Sequence, residues 1–514
     1  MIKNIFKIDN NNFYLWVLII FSIFFIFSDL GAKRMHPIDD CYYAQKAKEI
    51  IQTGNWLTIH YAGEVSVDNA PFYIWLIAIM FKFFGISEYS ARFFSAFFGV
   101  ATIISIYFMG RMLFDEWIGL FSSLVMLTTL LFFIGSRRAM VDVTLTFWVT
   151  LALIFFMKGI KERGYFLLFG ISTGITILTK SVFGFFPILI TVVYLLLLRE
   201  FKKIIDPFFL LGVITAVLVS FPWYIYQYIY YPELFVGGHL KWLIYQGAFV
   251  YKKVGTPAWY LKKLWIIYWP WIPLATYSFL RLLIKNFKKV DPNILIILCW
   301  TVIILSVMSF MHSKKISYIM SVFPALAILT AIFLNNILAK EKRKVFFINI
   351  SLILLLLPAS IIITTPITLP FDLGEDRYFI SNETWSIAMF ARENIPKNEE
   401  IVLYRIWLWR IRSTYLFYSD RDISTSVYDK DSLIKILKEG RIGYCLTTKE
   451  GFSELSKVKG LKLHVQKETP SLILIKASID KENFYQSSAN QWDNKVGMYF
   501  DLPPSILVNK NLPS

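Results

Sequence analysis

The chain has 514 residues, of which 56% are hydrophobic, 18% aromatic and only 17% charged, against about 25% charged in an ordinary soluble domain. That balance excludes a soluble domain, and 47 Phe exclude a disordered chain. Cys41, Cys299 and Cys445 stand too far apart for a disulfide framework or a cysteine-held metal, and the formal charge of +17 punctuates apolar runs instead of forming a nucleic-acid-binding patch.

About 20 apolar residues are needed to cross a bilayer as a helix. Runs of roughly that kind lie near 13–30, 91–112, 117–135, 142–158, 164–179, 182–198, 208–228, 260–283, 293–310, 317–338 and 345–365, with a shorter one at 71–84. The first lacks a small-residue cleavage site, so it reads as a retained helix and not as a signal peptide. Cytoplasmic loops gather Lys and Arg. If 71–84 lies on the outer interface without crossing, the inner segments carry Lys3 and Lys7, Arg111, KGIKERG, REFKK, RLLIKNFKK and AKEKRK. The expectation is therefore eleven crossings, with the N-terminus inside and the C-terminus outside. After about residue 370, EIVLYRIW, RIGYCLTT and SLILIKA read as short buried strands alternating with helical ETWSIAMFAREN and KDSLIKILKEG. This divides the chain into a membrane domain, 1–370, and a small outer α/β domain, 371–514. No Gly-rich phosphate loop follows these strands.

With this sidedness, the informative polar residues fall in the outer loops. The 31–90 loop carries Asp39 and Asp40 just before a helix. Either acid is explained as a helix cap that complements the dipole, or as a general base or acceptor-orienting group. Asp68 follows in VSVDNAP, and GSRRAMVD places Arg137 and Arg138 shortly before Asp142. A surface ion pair is the plain account of the latter, but charges at a membrane face are costly and usually functional. LTKSVFG contributes Lys180, whose plain role is snorkelling. His239, Lys241, Lys252 and Lys253 lie in the aromatic 229–259 loop, and MHSKKISY adds Lys314, Lys315 and Tyr318. Several cations beside carboxylates on one face suit the holding of a lipid phosphate or pyrophosphate.

These motifs resemble, in order, those of the GT-C membrane glycosyltransferases, closest to the bacterial aminoarabinose transferases and the protein O-mannosyltransferases. PIDDCYYA resembles the family's P-D-E-x-x-Y-A, which places Asp39 at its catalytic aspartate, Asp40 at the adjacent acid and Tyr43 at the tyrosine. GNW echoes GDW. VDNAP resembles F-E-K-P-P, with Asp68 at the glutamate and Asn69 replacing the lysine. Asp142 matches the second acidic motif, LTKS resembles LTKG, and KKISYIMSVFP resembles K-x-x-Y-x-x-P through Lys315 and Tyr318. HLKW followed by PAWY is similar to a His-containing outer loop, although Trp242 stands where an arginine is usual.

The resemblance implies a polytopic α-helical membrane protein of GT-C fold, with about 11–13 transmembrane helices and a small outer-face α/β domain. It implies a transferase taking a sugar, aminoarabinose or another pentose or hexose, from a polyprenyl-phosphate donor. The acceptor would be a lipid A phosphate, a protein hydroxyl or a glycan, glycosylated with inversion. Its residues would be Asp39, Asp142 and Asp40 for catalysis; Lys180, Arg137, Arg138, Lys315 and Tyr318 for the donor phosphate; and Asp68, Asn69, Tyr43 and His239 for substrate. Asp68 and His239 are also ordinary ligands for zinc, magnesium or manganese, and metal-free and metal-assisted chemistry both stand open. The expected setting is a bacterial or archaeal inner or plasma membrane, with membrane lipids but no nucleic acid as partners. A transporter or flippase of lipid-linked sugars is the competing class. Such proteins place their charges near the bilayer midplane, whereas here the spans are almost free of acids.

Overall fold

The computed structural model describes residues 13–37, 39–240, 256–288, 290–338, 340, 343–351, 376–438 and 443–479. Helices α1 (Phe13–Phe27), α2 (Asp39–Thr53), α3 (Phe72–Phe84), α4 (Glu88–Leu113), α5 (Glu116–Thr128), α6 (Leu130–Ser136), α7 (Val141–Gly159), α8 (Tyr165–Lys180) and α9 (Phe186–Leu197) form the first part of the membrane domain. It is completed by α10 (Pro207–Tyr230), α11 (Trp259–Ile267), α12 (Ile272–Lys288), α13 (Pro292–Phe310) and α14 (Phe323–Ile337). Polar residues mark the helix starts. Ser87 caps α4, Asp115 accepts from Ile118 N at 2.8 Å, and Asp206 and Asp291 cap α10 and α13 ahead of Pro207 and Pro292.

Among the described residues, six helical stretches are long and apolar enough to cross a membrane, or seven counting the α5–α6 pair, bent by 71°. The difference from eleven has identifiable causes. Helix α1 has 15 residues within the described part of the chain, the 260–283 run breaks between α11 and α12, and most of the 345–365 run lies outside the described residues. The 165–197 stretch passes the length test as one span, yet the chain doubles back within it. Ser181 has φ +43°, Thr176 Oγ1 donates to Gly184 O at 2.5 Å, and a Cβ on Gly184 would lie 2.3 Å from Ile177 Cα. Residues seven apart in a continuous helix would be about 10 Å apart along its axis. Lys180 therefore sits at a turn between two helices. Helix α3 has 13 residues, which reach about 20 Å and cannot span about 30 Å of hydrocarbon.

Spans α8 and α10 approach closely at glycines: a Cβ on Gly170 would sit 2.1 Å from Gly212 O. Small residues permit such contact where lipid offers no hydrophobic drive between helices.

Residues 376–479 form the α/β domain. Its sheet has the order β4 (Ile423–Val427), β3 (Ile401–Tyr404), β5 (Tyr444–Thr448), β7 (Leu472–Ile479), β6 (Leu461–Glu468). The first three strands are parallel, and β7 is antiparallel to both of its neighbours. A two-stranded hairpin, β1 (His60–Tyr61) with β2 (Glu64–Val65), belongs to the first long loop. Alternate strand residues point to opposite faces. Ile401, Leu403, Leu446 and Leu474 join one apolar cluster with α15 (Asp376–Asn394), α16 (Leu408–Ser419) and α2, whereas Val402, Tyr404, Cys445 and Ile475 pack on α17 (Lys430–Lys438) and α18 (Lys449–Leu455). The expected strands and helices are present; α16, α18, β4 and β6 are additional. The expected domain junction at 370 lies outside the described residues.

The domain is bolted to the membrane part through α16 and α2. Lys48 Nζ donates to Phe417 O at 2.7 Å and pairs with Asp420 at 2.5 Å. Tyr418 OH donates to Glu88 at 2.8 Å and accepts from Met35 N at 3.2 Å. Thr414 Oγ1 lies 3.6 Å from Cys41 Sγ, two residues past Asp39.

Candidate functional site

The acids and cations of the loops expected on the outer side converge at one end of the helical bundle, delivered by the start of α2, the start of α7, the α8–α9 turn and the strand-like approach to the 3-10 helix Ile316–Val322. Lys180 Nζ is ion-paired with Asp142 Oδ1 and lies 4.3 Å from the centre of the Tyr318 ring. Lys315 Nζ is 3.6 Å from Asp39 Oδ1. Tyr260, from the PAWY segment, donates to Lys315 O at 3.0 Å and fixes the backbone that presents this ammonium.

Asp39 is 36% exposed and Lys315 53% exposed, so this pair opens to solvent. Burial alone would push the Asp39 carboxyl up, but Lys315, followed by Arg138, His36 and Lys180, holds it below the usual carboxylate range. Reciprocally, Asp39 and then Tyr318 raise Lys315. The Tyr43 phenol is pushed well up by burial and then by the charges of Asp39 and Asp142, so it remains a proton donor beside both acids.

Asp40 is fully buried. Its Oδ1 receives Arg138 Nε at 3.3 Å, and its Oδ2 faces Arg92 Nε at 3.7 Å and accepts from His36 N at 3.4 Å. The same Arg92 guanidinium donates to Leu30 O at 2.8 Å, Lys33 O at 2.6 Å and Arg34 O at 2.7 Å. This knot ties the end of α1 to the start of α2. Arg137, expected at the donor phosphate, instead gives its guanidinium to Phe25 O, and to Ile26 O at 3.2 Å, at the end of α1. Arg138 is committed to Asp40.

Asp68, Asn69 and His239 lie in a neighbouring polar cluster. Asp68 binds Lys46 Nζ at 2.6 Å and accepts from Tyr42 OH and Ser66 Oγ, both at 2.5 Å; burial opposes but Lys46 prevails, drawing the carboxyl down to about 2. Asn69 Oδ1 accepts from Lys46 at 2.7 Å. His239 Nδ1 donates to Val67 O at 2.6 Å and Nε2 lies 3.3 Å from Ser181 Oγ, next to Lys180. The expectation that Asp68 and His239 share a divalent ion does not fit these partners: the ammonium stands on the carboxylate and both imidazole nitrogens face other groups. Among the described residues, no three His, Cys, Asp or Glu side chains gather as a metal site. Trp242, Lys241, Lys252 and Lys253 lie outside the described residues.

Lys46 and Arg92 escaped the sequence reading. Each had a faint signal: Lys46 repeats at Asp39 plus seven on one helix face, and Arg92 is a charge just inside an otherwise apolar span.

Residues 68–226 match the family described as dolichyl-phosphate-mannose-protein mannosyltransferase. An undecaprenyl phosphate-α-4-amino-4-deoxy-L-arabinose arabinosyl transferase from Aeromonas hydrophila is 25% identical over 347 residues, which are 65% of this chain and 62% of that relative's length. The crystal structure of ArnT from Cupriavidus metallidurans bound to undecaprenyl phosphate superposes with a TM-score of 0.72 at 18% identity, covering 91% of this chain and 98% of the other. The oligosaccharyltransferase of Archaeoglobus fulgidus, solved in complex with zinc and sulfate, gives 0.56 at 13% identity, covering 90% and 73%. The chain thus has the GT-C fold, and its sequence is similar to an aminoarabinose transferase and, over residues 68–226, to the protein mannosyltransferase family.

Proposed function

We propose that the chain is an integral-membrane glycosyltransferase that moves a sugar from a polyprenyl-phosphate donor to an outer-face acceptor of a bacterial or archaeal plasma membrane. The observation that carries this reading is the open Asp39–Lys315 pair, 3.6 Å across, set beside the Lys180–Asp142 pair. A carboxylate and two ammonium groups at one membrane face match a reaction in which an acceptor is activated while a phosphate departs.

The acceptor oxygen attacks the anomeric carbon from the side opposite the phosphate. The bond from that carbon to the phosphate oxygen breaks, and its electron pair leaves on polyprenyl phosphate. Lys180 and Lys315 stabilise the charge that grows there, with Tyr318 fixing Lys180 from its ring face. If the acceptor is a hydroxyl, Asp39 takes its proton. If it is a phosphate such as that of lipid A, it is already ionised, and Asp39 orients it through Lys315. The protonated Tyr43 phenol, near Asp39 and Asp142, supplies a further hydrogen-bond donor for substrate. Asp40, Arg92 and Arg138 hold α2 in register. The relatives named as undecaprenyl-phosphate aminoarabinose transferases support a polyprenyl donor and aminoarabinose as a first sugar to try.

Turnover is tested with the purified full chain in lipid nanodiscs, supplied with undecaprenyl-phosphate aminoarabinose and other polyprenyl-phosphate sugars. Release of polyprenyl phosphate that disappears in Asp39→Asn is the expected result. Movement of the donor across liposome membranes without release overturns it in favour of a transporter. Comparing lipid extracts of cells with and without the gene by mass then names sugar and acceptor together.

A further inference from the structure

Lys46 is a completely buried lysine that the mechanism above does not use. Its side chain leaves the middle of α2 and ends among three partly buried partners: Asp68 Oδ1 at 2.6 Å, Asn69 Oδ1 at 2.7 Å and the face of the Tyr42 ring at 4.2 Å. An ammonium has three protons, and these three partners account for all of them. Asp68 is equally committed. Of the roughly four lone-pair directions of a carboxylate, one holds the ammonium and two hold the hydroxyls of Ser66 and Tyr42.

What this cluster controls is the 65–70 loop. Val67, next to Asp68, gives its carbonyl to His239 Nδ1 at 2.6 Å; the other imidazole nitrogen lies 3.3 Å from Ser181 Oγ, and Tyr224 OH donates to that same oxygen at 3.1 Å. Ser181 directly follows Lys180, whose ammonium is paired with Asp142. A continuous run of bonds thus leads from Lys46 through the loop and His239 to the turn that aims Lys180. A carboxylate and an imidazole on two converging loops are a common beginning for a divalent-cation site, and a cation there would cross-link the same two loops. Here the cation belongs to the chain.

We propose that Lys46 is a positioning residue whose ammonium serves as the built-in counter-ion of the 65–70 loop, doing for Asp68 and the His239 loop what a bound divalent ion would do. A buried charge stripped of its partner is strongly destabilising, so the loop is held only while both members are present. Lys46→Met leaves Asp68 without its counter-ion and open to a metal. The paired variant Lys46→Met/Asp68→Asn removes both charges and the metal ligand.

The test uses the purified full chain in detergent or nanodiscs and reads melting temperature, metal content and turnover. In the wild type, dipicolinate leaves all three unchanged. Lys46→Met melts lower and loses turnover by roughly 10- to 100-fold, the usual scale when a group that orients a site residue is lost. Added zinc chloride raises its melting temperature and binds stoichiometrically. Lys46→Met/Asp68→Asn regains much of the melting temperature but no longer responds to zinc. Stoichiometric chelatable metal in the wild type, or a wild-type melting temperature that falls on chelation, overturns the proposal; so does a folded Lys46→Met that ignores zinc. If Lys46→Met does not fold, the wild-type chelation arm decides alone. Only the turnover arm rests on the transferase reading. Were no sugar transfer found in the wild type, melting and metal content would still decide the role of Lys46.

Discussion

Two carboxylates one residue apart in α2 live in opposite surroundings. Asp39 stands in an opening, paired with Lys315, which is also half in solvent. Asp40 is sealed between Arg138 and Arg92, and the oxygen that faces Arg92 also accepts from the His36 amide. The same functional group therefore does different work: accessible and loosely held, it can meet a substrate; enclosed and over-bonded, it fixes the backbone that presents its neighbour. The two regions depend on each other, because the Arg92 knot sets where α2 begins and hence where Asp39 projects.

The sharpest way to break this division is Asp39→Asn. Asp39 lies in the first turn of α2 and its pair with Lys315 is exposed, worth under about 1 kcal/mol, so melting stays close to wild type while turnover falls by about 10²- to 10⁴-fold, the range of general acid–base catalysis. An inactive Asp40→Asn beside an active Asp39→Asn would reverse the assignment. Next in size is Arg92→Met, which strips the carbonyls of Leu30, Lys33 and Arg34 and half the cover of Asp40; a loss of about 3 kcal/mol in stability is expected, read from a denaturation midpoint. A small loss would show that Arg138 suffices.

Lys180→Met should raise the barrier by about 2–4 kcal/mol, the scale of removing a transition-state charge partner, with turnover at limiting donor as its measure. A smaller effect is expected with pH. The Asp68 carboxyl is lowered in the folded chain to about 2, against about 3.9 when unfolded. Its contribution, on the order of 2–3 kcal/mol, is complete above about pH 4 and is lost as pH falls through 2. Acid melting curves of the wild type and Lys46→Met/Asp68→Asn should therefore converge below that pH. The Asp39 carboxyl is also depressed, so it stays ionised to lower pH than an ordinary aspartate, and the acidic limb of the rate should lie below about pH 4.

Much of the open region was readable in the chain. Asp39, Asp142, Lys180, Lys315 and Tyr318 are charged or phenolic residues at the ends of long apolar runs, and the structure gathers them at one end of the bundle. The enclosed region was not readable. Arg92 lies inside the 91–112 run and bonds residues about sixty positions away, a pairing that no local periodicity encodes. Lys46 in QKAKEII has the look of a solvated helix face, and only the packing of the 65–70 loop over it reveals a buried charge. Arg137 failed in the other direction: its place beside an acid suggested the phosphate, but the free carbonyls at the end of α1 claimed it. Helix α16 went unseen because LWRIRSTYLFYS mixes charge and aromatics without a clean stripe, its apolar side being divided between the sheet and α2.

The docking of α16 on α2 also sets a schedule for biogenesis. Cys41 and Thr414 are 373 residues apart, and chains emerge at about 5–20 residues per second. For tens of seconds after the first loop is made, Lys48 has neither the Phe417 carbonyl nor Asp420 to bind, and Tyr418 does not yet exist to receive the Met35 amide. The helix that carries Asp39 is thus among the first parts synthesised and among the last to be locked, so an incomplete chain cannot assemble a finished site in the membrane.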